Sequence, residues 1–322
     1  MNKTAVASLC FGVALATVAI AFASMPKGVT KVNGIEWRNS FESAVAEAKK
    51  TGKPILLLSM FGKIDEEVAC ANARTLRATL FKTPAFMNLV KNDVIPVWEM
   101  VREVPKVYID LGKGKQVVRT VRGNAVMYVC NPDGYVVDAL PGVYNEKDFI
   151  PLIKEAISLT KKTDSEVIAF HGRLGYDPRS VAMTVGKSVM ESPTLELMGA
   201  PGSTGAAPKP SGDPKKLAFE TAAKRLTDTS LTPMSAANSF KLATGKDLSD
   251  ADTNKAAQMV MDSDSGRNVR MVRPVVHLYF GSLGTLPTPL QARDAVLENI
   301  LKIPYKDPYF GLKEVLLPGT PN

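Results

Sequence analysis

The sequence predicts an α/β fold in which a central mixed sheet is flanked by helices, followed by a linker and a mostly helical C-terminal region. Three observations carry that expectation. Ile55-Leu56-Leu57-Leu58 is a continuous apolar run, the pattern of a central strand covered on both faces. Two apolar runs, Ala125 to Cys130 and Tyr135 to Ala139, flank the turn Asn131-Pro132-Asp133-Gly134 and read as an antiparallel hairpin. Between Ser192 and Lys215, five prolines and four glycines interleave with small residues, the composition of a linker.

The remaining elements follow in order. Asn39 precedes Ser40-Phe41-Glu42 as a helix N-cap, and Phe41, Ala44, Val45 and Ala48 recur at helical spacing until Gly52 closes the helix. After the Ile55 strand, a loop over Phe61 to Glu67 leads to a helix over Val68 to Phe81. Thr83-Pro84, a cap followed by proline, opens a third helix through Leu89, and Val94 to Trp98 is a further strand. A polar stretch, Leu111 to Gln116, precedes the hairpin, and Phe149, Leu152, Ile153 and Ile157 mark a closing amphipathic helix. Beyond it, Glu166 to Met190 holds one or two short helices packing on the first domain. Lys216–Leu226, Pro233–Leu242, Ser249–Met261 and Pro289–Leu301 read as helices; Val269–Phe280 is strand or buried helix, with Pro274 in its middle. Tyr305, Tyr309 and Phe310 are expected to pack back onto the last helix.

Composition narrows the function classes. With 322 residues, 45% hydrophobic and 22% charged, the chain is long enough for two domains and is neither disordered nor fibrous. Three cysteines are too few for a disulfide scaffold, and two histidines offer little for a zinc or haem site, so no metal and no cofactor are expected. The net charge of +8 is scattered rather than clustered, which argues for solubility and against nucleic acid as a partner. Lys3, the apolar run Ala5 to Phe22 and Ala21-Phe22-Ala23 have the form of a secretory signal peptide over residues 1–23. Cleavage implies a periplasmic or secreted protein without a stable membrane span; retention of the segment would leave it anchored. Cleavage removes Cys10 and leaves Cys70 and Cys130.

Specific stretches sharpen the fold. Ala44 to Pro54 before a hydrophobic strand, the segment Val121 to Gly134 set beside the pattern G-T-P-T-x-x-x-x-D-P-D-G, and Pro141-Gly142 before an acidic-capped helix resemble the thioredoxin-like superfamily over residues 35–160. The order helix, strand, helix, strand, hairpin, helix fits that family as well. Residues 161–215 then form a connecting segment with the linker, and residues 216–322 the mostly helical C-terminal region.

The resemblance implies two thiols at the start of the helix after the central strand, the first activated by the helix N-terminus and the second resolving the mixed disulfide. Cys70 falls where the first belongs, and Ala73 stands in place of the second. Ala125 replaces the family proline beside the thiols, and Ile55 to Met60 holds no acidic residue. These departures point to a degenerate redox centre. The strand rise of about 3.3 Å per residue puts Cys130 roughly 16 Å from Ala125, beyond the ~7 Å limit for a disulfide with Cys70. Arg74 and Arg77, at i+4 and i+7 from Cys70, are candidate thiolate stabilisers, opposed by Asp65, Glu66 and Glu67. The resulting expectation is a non-catalytic binding or scaffolding protein for another envelope or secreted protein, using the groove at Asn124 and Ala125. The alternative is a single-cysteine thiol-disulfide oxidoreductase or redox sensor acting through Cys70.

Other motifs fail on their own residues. Gly186-Lys187-Ser188 lacks the earlier glycine of a phosphate loop. Asp262 to Gly266 begins like a calcium loop, but Arg267 and Arg273 stand where Gly and Glu are needed, so it reads as a polar turn. His171 and His277 lack ligand spacing and read as satisfied core or rim residues, with a Cys70–His277 pair as the chemical alternative.

Overall fold

The computed structural model describes residues 28–114, 116–176 and 250–313; the leader, the linker and the expected helices at Lys216–Leu226 and Pro233–Leu242 lie outside them. A six-stranded mixed sheet runs in the order β1-β2-β4-β3-β7-β8. Its strands are β1 (Val29–Val32), β2 (Ile35–Arg38), β3 (Ile55–Phe61), β4 (Ile95–Arg102), β7 (Ala125–Cys130) and β8 (Val136–Pro141). The Ile55 run is a fully buried inner strand, parallel to β4 and antiparallel to β7. Two-sided covering is what allows seven successive residues there to be apolar or nearly so.

The first hairpin, to which the sequence reading assigns nothing, turns at Asn33-Gly34, both with positive φ, as a two-residue loop between twisted strands demands. Helix α1 (Phe41–Thr51) ends at Gly52 with φ +69°, but its N-cap is Ser40, not Asn39. Asn39 instead accepts from the Thr30 hydroxyl and from Trp98 Nε1 at 2.7 Å, tying β1 to β4. Helix α2 covers only Ala71–Ala78, shorter than expected at both ends because Cys70 caps it and the chain tightens into a 3-10 turn over Leu80–Lys82. Thr83 caps α3 (Pro84–Asn92) and Asn145 caps α4 (Glu146–Leu159).

The polar stretch before the main hairpin proves to be the turn of a second one. Strands β5 (Lys106–Asp110) and β6 (Gln116–Thr120) pair with each other and stand outside the main sheet.

Helix α5 (Asp164–Gly175) opens with a Thr163–Glu166 capping box. The chain re-enters with α6 (Asp250–Arg267), a π-helical turn over Asn268–Val272, and α7 (Arg273–Gly281). Val269–Phe280 is thus helical: Pro274 sits in the first turn of α7, where its missing N–H is tolerated and the preceding turn is already widened. The expected polar turn at Asp262 to Gly266 is also helix, inside α6. Helix α8 (Pro289–Asp294), capped by Thr288 and Gln291, continues through a π turn over Ala295–Ile300.

The C-terminal helices wrap the sheet and share one core with it. On one face, the rings of Trp37, Phe81, Phe86 and Phe149 form a stack that buries α3 and α4. Helix α6 joins there, Ser265 donating to Asp148 at 2.5 Å and Asn145 to Asp262. Helices α5 and α7 then cover the β8 edge, crossing backbone to backbone: a Cβ on Gly281 would lie 2.7 Å from Gly172 Cα. On the opposite face, Arg38 pairs with Glu47 of α1 and Arg293 of α8 with Glu99 of β4. The tail packs back, though not as a unit on the last helix. Tyr305 bonds Asp294, Phe310 lies edge-on to Phe61 of β3, and Tyr309 is 57% exposed.

Candidate functional site

Cys70 sits at the N-cap of α2, at the carboxyl end of β3, because its backbone N–H donates to the Phe61 carbonyl. Asn124, in the turn entering β7, meets it from across the groove: the thiol lies 3.4 Å from the Asn124 carbonyl and donates to it. The Asn124 side chain accepts from Asn72 of α2 and from the Ala125 N–H, so the groove wall is locked to the helix start. The structure therefore brings together Cys70, Asn124 and Ala125, and all of the Cys70 side chain is buried. Burial pushes its pKa up, only partly offset by the amide of Ala73, the backbone at Phe61 and the charge of Arg74. A donating, desolvated thiol is not poised as a nucleophile.

The two arginines behave differently. Arg74 is exposed and acts on the sulfur through charge alone. The Arg77 guanidinium turns away, donating to the carbonyls of Ile64 at 2.8 Å and Glu66 at 2.6 Å, so it braces the loop before Cys70. Glu66 pairs with Lys106, which lowers its pKa chiefly through that hydrogen bond. Ala73 is buried behind Cys70, and Cys130 lies at the far end of β7, opposite Ile55; both cysteines are free.

The chain's own tail packs on the end of β3 that leads into Cys70. A Cβ on Gly123 would meet Cys70 Cβ at 3.1 Å and Phe61 Cβ at 3.2 Å. Phe310 packs on that Phe61 ring, and Gly311 sits against the Arg122 guanidinium. Arg102 holds the strap by donating to the carbonyls of Tyr305 at 2.8 Å and Asp307 at 2.7 Å, with its guanidinium over the Phe310 ring.

A second polar constellation lies at the β8 edge, and sequence reasoning misses it. Arg273 of α7 makes a bidentate pair with Asp138 of β8, 2.6 and 2.9 Å, and also donates to the Ala139 carbonyl. Both side chains are sealed, at 3% and 1% exposure. Burial alone would raise the Asp138 pKa, but Arg273 and the two histidines outweigh it and bring it down to about 2. Beside this pair, His171 Nδ1 lies 2.7 Å from His277 Nδ1, and His171 Nε2 is 2.8 Å from the Val137 carbonyl. A carbonyl only accepts, so His171 carries its proton on Nε2, accepts at Nδ1, and His277 Nδ1 donates. Desolvation lowers the pKa of both rings, most strongly that of His277, where Arg273 adds to the effect. His277 is thus committed to His171 and not to Cys70. One signal was present in the sequence: Asp138 interrupts a buried strand and Arg273 borders an apolar run, and buried charges of opposite sign need each other.

Among the described residues no group of three His, Cys, Asp or Glu side chains could hold a metal ion, and no helix is long and apolar enough to cross a membrane. No family model, curated protein or solved structure matches the chain.

Proposed function

We propose that this is an extracytoplasmic, thioredoxin-like protein whose redox centre has been converted to a structural position, serving as a non-catalytic binding or scaffolding protein. The observation that carries the reading is the state of Cys70: buried, hydrogen-bonded as a thiol and without a second cysteine to pair with. The element order gives further support, since α1, β3, α2 with α3, β4, the β7–β8 hairpin and α4 follow the succession that the family resemblance implies. The signal-like leader supplies the compartment in this reading, and the partner is another envelope or secreted protein.

The test is alkylation of Cys70 in the full chain carrying Cys10→Ala and Cys130→Ala, so that Cys70 is its one thiol. We expect labelling at pH 7 to track global unfolding, with the thiol fully accessible only in denaturant. Rapid labelling of the folded protein, with a thiolate forming below the usual cysteine range, overturns the reading in favour of the one-cysteine oxidoreductase. For the binding role, stoichiometric retention of one envelope protein is expected, and its failure with both the native chain and Arg102→Ala, which loosens the strap, overturns it.

A further inference from the structure

We propose that Phe61, Arg102 and Arg122 form a docking site for a short turn on a partner protein, one with an aspartate, a phenylalanine three positions later and a glycine after it. The protein's own tail occupies that site as an internal competitor. This names the partner chemistry of the binding role proposed above and rests on that role. The tail segment Asp307 to Gly311 is folded by bonds of its own. The Asp307 carboxylate accepts from the N–H groups of Tyr309 at 2.9 Å and Gly311 at 2.8 Å, and the Asp307 carbonyl accepts from the Phe310 N–H at 2.9 Å. A turn closed over so few residues by its own aspartate carries its shape with it, so the same sequence presents the same surface from another chain.

The site reads the features that such a turn offers and passes over the rest. Arg102 donates to main-chain carbonyls, those of Asp307 at 2.7 Å and Pro308 at 3.3 Å, and its guanidinium caps the Phe310 ring 5.0 Å from the centroid. Phe310 is fully buried and meets Phe61 edge-on at 5.1 Å, whereas the adjoining Tyr309 is 57% exposed. Phenylalanine is therefore the anchor. Arg102 and Arg122 add their charge to the two N–H bonds that hold the Asp307 carboxyl below the usual range, so an anion is favoured there. Glycine is required beside the anchor, because a Cβ on Gly311 would lie 2.8 Å from the Arg122 guanidinium and 2.7 Å from Pro304. The tail reaches the site through Lys302, whose φ of +51° lies in the left-handed region where glycine is usual. A partner's turn has no such hinge to strain. What keeps the tail ahead is tethering, equivalent to an effective concentration of about 1 mM.

The probe is a fluorescein-labelled peptide of residues 304–313, followed by anisotropy with the full chain. Phe310→Ala and Gly311→Ala each loosen the chain's own tail, and a urea transition checks that each variant is folded. We expect the peptide to bind both variants at least tenfold more tightly than the native chain, and to lose at least tenfold when Arg102→Ala is added. In the peptide itself, Asp307→Asn or Phe310→Ala should cost a similar factor and Tyr309→Ala less than twofold. The peptide should also elute the envelope protein that the Phe310→Ala chain retains. No binding to a folded variant, binding indifferent to Arg102, or equal dependence on Tyr309 and Phe310 overturns the proposal. So does a retained partner that the peptide fails to elute, which leaves the binding role standing at another surface. Dimers of the loosened chains that the peptide dissolves overturn it in favour of a second copy.

Discussion

The Cys70 end and the β8 edge are both buried, polar and built by residues distant in sequence, yet they do opposite things with their chemistry. At Cys70, a residue type associated with reactivity is neutralised: a thiol stays protonated under a carbonyl, with Arg74 too exposed to overcome desolvation. At the β8 edge, full charges are retained in the interior because Asp138 and Arg273 satisfy each other with two parallel hydrogen bonds. Burial alone therefore does not decide whether an ionisable group keeps its charge; the partner it meets there does.

The sharpest way to break that comparison is to remove one ion of the pair. Asp138→Asn or Arg273→Met leaves a buried charge without its counterion and should cost about 3–5 kcal/mol in urea unfolding. The double change Asp138→Leu with Arg273→Met is expected to recover much of this, since two apolar groups carry no desolvation penalty. A double variant no more stable than the singles would show that the charges do more than compensate each other.

The histidines give a smaller, pH-dependent effect. Their folded pKa values lie below the unfolded value of about 6.5, so the unfolded chain binds more protons under acid. The stability they represent is fully present above about pH 7 and declines as pH falls through about 6.5, by up to about 1.4 kcal/mol per pH unit for each ring. Asp138 acts in a separate window: its depressed pKa stabilises the fold above its unfolded value and that contribution fades as pH drops towards about 2. Urea midpoints measured from pH 8 to pH 5 should fall in native protein and flatten in His171→Phe with His277→Leu; parallel curves would sink the assignment. At the other end, Cys70→Ala should cost only about 1 kcal/mol and Arg74→Ala less than about 0.5 kcal/mol, as measured by the same unfolding curves.

How far the sequence reaches is set by the range of the interaction. Gly52, Thr83-Pro84 and the Asn131–Gly134 turn act over a few residues, and each marks its element where the structure has it. The Ile55 strand is legible because being covered on two sides writes an unbroken apolar run. Val269–Phe280 stays ambiguous because an apolar β-branched run suits either a buried helix or a strand, and tertiary packing on α5 decides. The β5–β6 hairpin escapes for a different reason: its residues are largely exposed, so they lack the strong alternation that a half-buried strand would show. The position of Cys70 opposite Asn124 follows from element order, but the packing of Phe310 on Phe61 joins residues about 250 positions apart, which local pattern cannot reveal.

The β8 edge also has a consequence for how the chain is made. Its outward-facing backbone is completed by late partners: Val136 N–H donates to the Pro287 carbonyl, and the Val137 carbonyl accepts from His171. During synthesis the strand emerges long before Pro287 or Arg273 exists, and an uncovered edge is a template for pairing with another chain. The nascent protein therefore passes through an interval in which its sheet is assembled but still adhesive. A ribosome stalled before residue 250 should hold a chain that self-associates, and one released after the C-terminal helices should not.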